Sequence, residues 1–174
     1  LTLTLALTLT LITLGRVHHL TAFLEHPSEQ SVRTVDKLQE VESGEPPLTP
    51  MANTCWGGAL QSVQLLSSHG ADRGNVDPEW PPDDDLDPPL SSAEQCARHG
   101  EHAQVLAWLI ESRGWRTPLH HISCMPAPRA RKLLRAGADP LAPGNDATGL
   151  ITGIVTTPLA LAKAWLATCA ADLA

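Results

Sequence analysis

Two stretches of this sequence carry the same short motifs in the same order: TPMANTCWGGALQSVQLLSSHGAD at 49–72 and TPLHHISCMPAPRARKLLRAGAD at 117–139. Each begins with Thr-Pro and an apolar residue, and each ends with Gly-Ala-Asp. The two Gly-Ala-Asp motifs stand 67 residues apart, about twice a period of 33. Thr-Pro-Leu returns at 157–159, and Pro-Pro-Leu at 88–90 stands where an intermediate copy is expected. The spacing therefore predicts an array of internal repeats.

Within a copy, the local signals predict two short helices joined by a tight turn. The threonine of Thr-Pro can cap a helix, and the proline fits the first helical position, where its missing N–H does no harm. We expect first helices over 51–56, 119–124 and 159–165, with breaks at Gly57-Gly58 and at Pro126 and Pro128. Apolar residues at helical spacing predict the second helices, such as Leu60, Val63, Leu66 and Val105, Leu106, Leu109. Gly70 and Gly137 stand where a left-handed residue ends a helix.

These segments resemble ankyrin repeats, whose 33-residue unit carries a T-P-L-H-x-A signature. The resemblance implies an all-α solenoid of stacked helix-turn-helix units with irregular connecting loops, since such pairs bury their apolar faces only by stacking. It also implies that His120 is structural, bonding near the hairpin and tying neighbouring copies. The motif residues are Thr49, Pro50, Gly70, Asp72, Thr117, Pro118, Leu119, His120, Gly137, Asp139, Thr157 and Pro158. One copy departs from the pattern, because Arg129 and Arg131 stand at usually apolar positions and leave its second helix to rely on Leu133 and Leu134.

The domain organisation follows from the repeats. Residues 1–14, LTLTLALTLTLITL, form a low-complexity Leu/Thr tract that is shorter than the roughly 20 residues of a membrane span. A repetitive tract outside the domain and a truncated signal or anchor are both open interpretations. Residues 15–48 are a candidate degenerate repeat or N-terminal cap. The array occupies 49–174, with copies at 49–80, 88–114 and 117–145 and a partial copy at 157–174.

Composition narrows the function classes. The chain has 174 residues with 12 basic and 19 acidic side chains, a net charge of −7 that does not favour nucleic acid as a partner. The four cysteines are scattered without a CxxC motif, so we expect free thiols and an intracellular protein, cytoplasmic or nuclear. Charge is uneven: 77–87 is an acidic loop, whereas 113–135 carries six basic residues and no acidic one.

No catalytic or metal motif stands out. The sequence lacks G-x-S-x-G, H-E-x-x-H and a glycine-rich phosphate loop. A zinc site would draw on Cys96, His99, His102, His121 and Cys124, but the repeat alignment explains the cysteines as small buried hydrophobes. Cys124 with His120 lacks an orienting third group. We therefore expect no enzyme, no metal and no cofactor.

The resemblance implies a non-catalytic protein–protein interaction module or scaffold that binds a partner through its concave face and loop tips. The expected partner-binding residues are Trp56, Trp80, Arg98, His99, Trp115, Arg116 and Met125. Loop 77–87 beside this face would attract a basic segment. For Trp115, packing on the following hairpin is an equal alternative. We expect a monomer that binds a protein, and from this segment neither nucleic acid nor membrane binding. The alternative function is a piece of a larger membrane-tethered or enzymatic protein whose functional domain lies outside this chain.

Overall fold

A computed structural model describes residues 49–74, 90–144 and 156–171, and all regular secondary structure in this part of the chain is helical. The all-α prediction is confirmed for these residues. The Leu/Thr tract 1–14, the candidate cap 15–48 and the acidic loop 77–87 with Trp80 lie outside them. The chain divides into two compact units, an N-terminal unit to Ile110 and a C-terminal unit from Glu111. The helices are α1 (Pro50–Trp56), α2 (Leu60–Ser68), α3 (Ser92–His99), α4 (Ala103–Glu111), a 3₁₀ helix (Pro118–Cys124), α5 (Ala127–Arg135) and α6 (Pro158–Ala171).

In its described residues, the N-terminal unit contains two helix-turn-helix pairs, α1–α2 and α3–α4. Thr49 caps α1 because its hydroxyl accepts the Ala52 N–H at 3.1 Å, and Pro50 takes the first helical position. The cap of α3 is reciprocal: Ser91 and Glu94 form a capping box in which the Ser91 N–H donates to the Glu94 carboxylate at 2.7 Å. The starts of both first helices are therefore set by local sequence.

Both pairs use the same tight turn between their helices. After α1, Gly58 adopts a left-handed φ of 71°, and the Ala59 N–H reaches back to the Thr54 carbonyl at 3.0 Å. After α3, Glu101 takes the equivalent left-handed position at φ 59°, and the His102 N–H donates to the Ala97 carbonyl at 2.9 Å. The break predicted at Gly57-Gly58 is confirmed.

The core of the N-terminal unit lies where α1 packs against α2 and α3. Small side chains fill the contact between first helices, and Cys55 and Cys96 are both fully buried as the sequence predicted. Larger apolar residues from α1, α2 and α4 complete this core: Met51, Val63, Leu66, Val105 and Leu109. Burial of this kind stabilises a fold by about 25 cal/mol per Å² of apolar surface removed from water.

The Gly-Ala-Asp motif forms the same structure at both of its positions. Gly70 and Gly137 have φ values of 84° and 88° and end α2 and α5 in the left-handed conformation. At each end the following alanine N–H bonds a carbonyl five residues back, which is the Schellman pattern. The carboxylates of Asp72 and Asp139 then each accept the backbone N–H two residues ahead, at 2.7 and 2.8 Å. Both left-handed glycines were predicted.

The C-terminal unit departs from the expected copies in two respects. The helix expected over 119–124 is a 3₁₀ helix, and Met125 after it is extended (φ −111°, ψ 149°) because Pro126 disfavours the helical conformation for the residue before it. The helix expected over 159–165 continues without a break to Ala171. Its sequence beyond Trp165 has neither Gly nor Pro, and Ala and Leu are strong helix formers.

The expectation that α5 relies on Leu133 and Leu134 for burial is wrong for Leu134. Among the residues of α5 only Ala130 is buried, and Leu134 is 45 % exposed. The helix presents its apolar side to a groove rather than to a filled core. The 3₁₀ helix packs instead against α6, whose first turn is capped by the Thr157 hydroxyl accepting the Ala160 N–H at 3.2 Å.

Candidate protein-interaction surface

Two of the predicted partner-binding residues lie side by side at the ends of successive first helices. Trp56 is the last residue of α1 and His99 the last residue of α3. Their rings are stacked, with centroids 6.4 Å apart and planes inclined by 23°. Trp56 is 44 % exposed, and both His99 and its neighbour Arg98 are exposed. We call Trp56, Arg98 and His99 the aromatic face.

The aromatic face is held in place by His102, in the turn after α3. Its Nε2–H donates to the Trp56 carbonyl at 2.9 Å and so joins the turns of the two pairs. Glycines make room for this ring. A Cβ on Gly58 would stand 2.4 Å from His102 Nδ1, and one on Gly100 would stand 2.5 Å from the Trp56 carbonyl oxygen. Sequence analysis assigned His102 only to a hypothetical zinc set, because its bond spans 46 residues and leaves no local signal.

A second network, which sequence analysis missed, lies beneath the loop that leaves α2. The Arg73 guanidinium stands 4.9 Å from the ring centroid of Trp108, a cation–π contact. Burial lowers the pKa of Arg73, with the charges of Cys55 and Glu94 opposing that shift. Trp108 is buried in α4, so this tryptophan is structural. Trp108 follows Val105 by one helical turn and precedes Leu109 directly. This apolar spacing could have indicated that Trp108 is buried.

In the C-terminal unit, Trp115 packs within the unit. Its ring meets the ring of buried His121 edge to face, with centroids 5.1 Å apart and an angle of 73°. This is the packing alternative that the sequence left open. Arg116 is exposed. Met125 was expected on the exposed side of a first helix, and that placement is wrong: it is 8 % exposed, because the extended backbone before Pro126 turns its side chain inward.

His120 occupies the structural position that the motif implies. It is fully buried, and its Nδ1 accepts from both the Thr117 N–H at 3.2 Å and the Thr117 hydroxyl at 2.8 Å. Its Nε2–H then donates to the carbonyl of Thr156, directly before the next Thr-Pro, at 3.3 Å. The ring thus ties one Thr-Pro start to the next. Both ring nitrogens are engaged with threonines, so neither is directed at Cys124.

The thiols lie in environments that oppose nucleophilic chemistry. Burial, and to a lesser extent the neighbouring Cys96, raises the pKa of Cys55 from 9.0 to about 12. Burial likewise raises the pKa of Cys96 to about 11 and that of Cys124 above its usual value. A nucleophilic cysteine needs a lowered pKa, since the thiolate is the reactive form. Cys55 and Cys96 pack as small apolar side chains in the core, whereas Cys124 is half-buried.

Within residues 49–74, 90–144 and 156–171, no three His, Cys, Asp or Glu side chains are grouped closely enough to hold a metal ion. In the same described part, every helix is too short or too polar to cross a membrane. These two observations concern only that part of the chain. Within it, Trp56 and His99 form an exposed stacked pair.

Comparison with known proteins found no protein-family model that matches this sequence and no curated protein that matches it.

Proposed function

We propose that this chain is an ankyrin-like repeat array that serves as a non-catalytic protein–protein interaction module, with the aromatic face as its contact surface. The observation that carries the proposal is the exposed Trp56 ring stacked on His99, with Arg98 beside it. Tryptophan and arginine are the residue types most enriched among interface hot spots. An exposed Trp–His stack has no evident role in the core beneath it.

Repetition of local structure supports the array. The pairs α1–α2 and α3–α4 have equivalent turns, and the Gly-Ala-Asp ends at Gly70 and Gly137 have the same hydrogen bonds 67 residues apart. His102 and His120 each bridge to a backbone carbonyl distant in sequence. Ankyrin arrays typically bind proteins on the face built from first helices and loop tips, which is where the resemblance would put Trp56 and His99.

Placement of the aromatic face at helix C-termini suits a binding role. The rings stand at the exposed ends of helices that Cys55 and Cys96 help to anchor in the core. Preorganised side chains lose little conformational entropy when they bind, so more of the contact energy appears as affinity. The four cysteines are free, which is the usual state in a reducing compartment and supports the proposed intracellular setting.

Affinity capture from a cell extract tests the proposal. The tagged wild-type chain is compared with a Trp56→Ala–His99→Ala variant, and far-UV circular dichroism checks that both are folded. Ile110→Ala is the matched control, because Ile110 is 40 % exposed in the same unit but belongs to α4. We expect specific partners to be lost from the double variant and kept by the control. Equal recovery by all three proteins would overturn the assignment of the aromatic face.

The acidic loop 77–87 lies outside the described residues, and its attraction for a basic segment stays a prediction. Affinity for a captured partner should fall as salt is raised if that attraction operates.

A further inference from the structure

The C-terminal unit contains an apolar groove of about 330 Å³ between the 3₁₀ helix, α5 and α6. It is open on one side, and three large side chains on its walls are strongly exposed. Leu134 on α5 is 45 % exposed, and Trp165 and Leu166 on α6 are 47 % and 61 % exposed. Ile122, Met125 and Ala130 are more buried residues of the same lining. Large exposed apolar side chains that gather around one cavity are typical of an interaction site.

The groove stands in a basic environment within an acidic protein. The described residues 111–144 and 156–171 contain seven Lys or Arg and two acidic side chains, although the whole chain has a net charge of −7. Helix α5, which forms one wall, carries four basic residues and no acidic one: Arg129, Arg131, Lys132 and Arg135. Arg131 itself lines the groove. Of the two acidic side chains, Asp139 accepts the Leu141 N–H in its own loop, and Glu111 lies at the end of α4.

From this arrangement we infer that the groove binds an amphipathic, acidic helical segment of another protein. Apolar side chains of the segment would enter between Leu134 and Trp165, and its Glu or Asp residues would face Arg131 and the basic side of α5. The basic residues of α5 favour a segment with acidic residues beside its apolar ones. The apolar lining favours large apolar side chains that are spaced three or four residues apart along that segment. The inference does not depend on the proposed aromatic face, which belongs to the N-terminal unit.

Groove chemistry favours a peptide over a nucleic acid. Nucleic-acid sites combine several cations along a backbone track with bases stacked on aromatic rings. Here Arg131 is the one cation in the lining, which otherwise consists of aliphatic side chains, Met125 and one tryptophan. The other basic residues of α5 lie outside this lining. An amphipathic helix bound in a groove buries its apolar face and keeps its charged residues at the edge of the groove. This arrangement matches the apolar lining and the basic residues of α5.

The test uses the full chain and a synthetic probe, a short helical peptide with Leu and Trp on one face and Glu on the other. Fluorescence anisotropy measures its dissociation constant. We expect Arg131→Glu to weaken binding by about tenfold or more through charge reversal. Trp165→Ala should cost about tenfold through loss of an apolar anchor contact. Because both side chains are exposed, both variants should keep the wild-type circular dichroism spectrum.

Two control variants match these changes outside the groove lining. Arg116→Glu reverses a charge on an exposed residue before the 3₁₀ helix, and Leu141→Ala removes an apolar side chain that is 61 % exposed in a loop. Both should bind the probe within about threefold of wild type. The Trp56→Ala–His99→Ala variant should also bind it normally, which separates failure of this inference from failure of the proposed function.

Several results would overturn the inference. One is equal loss of binding in the control and groove variants. A second is equal binding of a probe in which every Glu is replaced by Lys. A third is binding of a single-stranded oligonucleotide or of anionic vesicles in place of the peptide. A fourth is self-association that is lost on Trp165→Ala, which would make a second copy of the chain the occupant. Absence of peptide binding at millimolar concentration would overturn it as well.

Discussion

Replacing Gly58 by alanine should destabilise the N-terminal unit more than the same change at Gly57 or Gly70, two other glycines of its turns and helix ends. Two costs coincide at this position. The left-handed φ of 71° costs a residue with a Cβ about 1 kcal/mol or more. The added Cβ would also stand 2.4 Å from His102 Nδ1, so the ring must leave the Trp56 carbonyl and forfeit a hydrogen bond of about 1 kcal/mol. The expected loss is about 2–3 kcal/mol.

Two other glycines separate these costs. Gly70 has a φ of 84° but open space around its Cβ position, so Gly70→Ala should cost only the backbone term, about 1 kcal/mol. Gly57 has a φ of −83°, and its Cβ would meet the Asn53 carbonyl oxygen at an ordinary 3.4 Å. Gly57→Ala should therefore be neutral or stabilise by about 0.5 kcal/mol, because alanine restricts the unfolded chain.

Urea unfolding followed by far-UV circular dichroism measures all three changes, and a double-mutant cycle isolates the ring. In a His102→Ala background, Gly58→Ala should lose its steric part and cost about as much as Gly70→Ala. The two changes should thus fall short of additivity by about 1 kcal/mol. The reasoning is refuted if Gly58→Ala costs no more than Gly70→Ala, or if the double variant is additive.

Three further predictions concern the caps, the thiols and the buried histidine. Thr49→Ala should lower the free energy of unfolding by about 1 kcal/mol and Thr157→Ala, at a more exposed cap, by about half of that, both measured by urea unfolding. Burial raises the pKa values of Cys55 and Cys96 to about 12 and about 11 in the folded chain from 9.0 in the unfolded chain. The free energy of unfolding that the two neutral thiols contribute is therefore complete below pH 9 and declines as pH rises towards 11–12. Urea unfolding measured at a series of pH values should show this decline in the wild type and a smaller decline in a Cys55→Ala–Cys96→Ala variant. His120→Ala should cost about 2–3 kcal/mol in thermal or urea unfolding, because it removes a buried ring and its bonds to two segments; a loss under 0.5 kcal/mol would contradict the structural role of this residue.

Features set by local chemistry could be predicted from the sequence. The cap at Thr49, the break at Gly57-Gly58 and the left-handed Gly70 and Gly137 each depend on residues within a few positions of one another. Capping hydroxyls and left-handed glycines act through nearby backbone groups. The helix start or end that they form therefore varies little with tertiary context. The repeated Gly-Ala-Asp motif gave the same hydrogen bonds twice for the same reason.

Features set by contacts distant in sequence could not be predicted in this way. His102 reaches Trp56 across 46 residues, and Arg73 reaches Trp108 from a loop. Neither pairing has a sequence signature, since each depends on how two helix pairs stack.

The wrong placements share a cause in the C-terminal unit. The repeat pattern predicted Met125 on the exposed side next to a first helix over 119–124, but before Pro126 its backbone is extended and its side chain is buried. Leu134 was expected inside, and it lines an open groove instead. Both residues belong to the copy at 117–145, in which prolines and arginines replace residues of the usual repeat pattern. The prediction of Trp56 and His99 as neighbours on an exposed face depended on equivalent positions in two well-formed pairs, and the structure brings them together.

Photo-crosslinking at the aromatic face tests the central claim most directly. A benzophenone amino acid is placed at position 98 in the expressed protein, and at position 141 as a control, because Arg98 and Leu141 are both exposed and only Arg98 adjoins the Trp56–His99 stack. We expect a light-dependent adduct with a discrete protein from position 98, reduced when Trp56 is replaced by alanine, and none from position 141. Equal adducts from both positions, or none from position 98 with partners present, would contradict it.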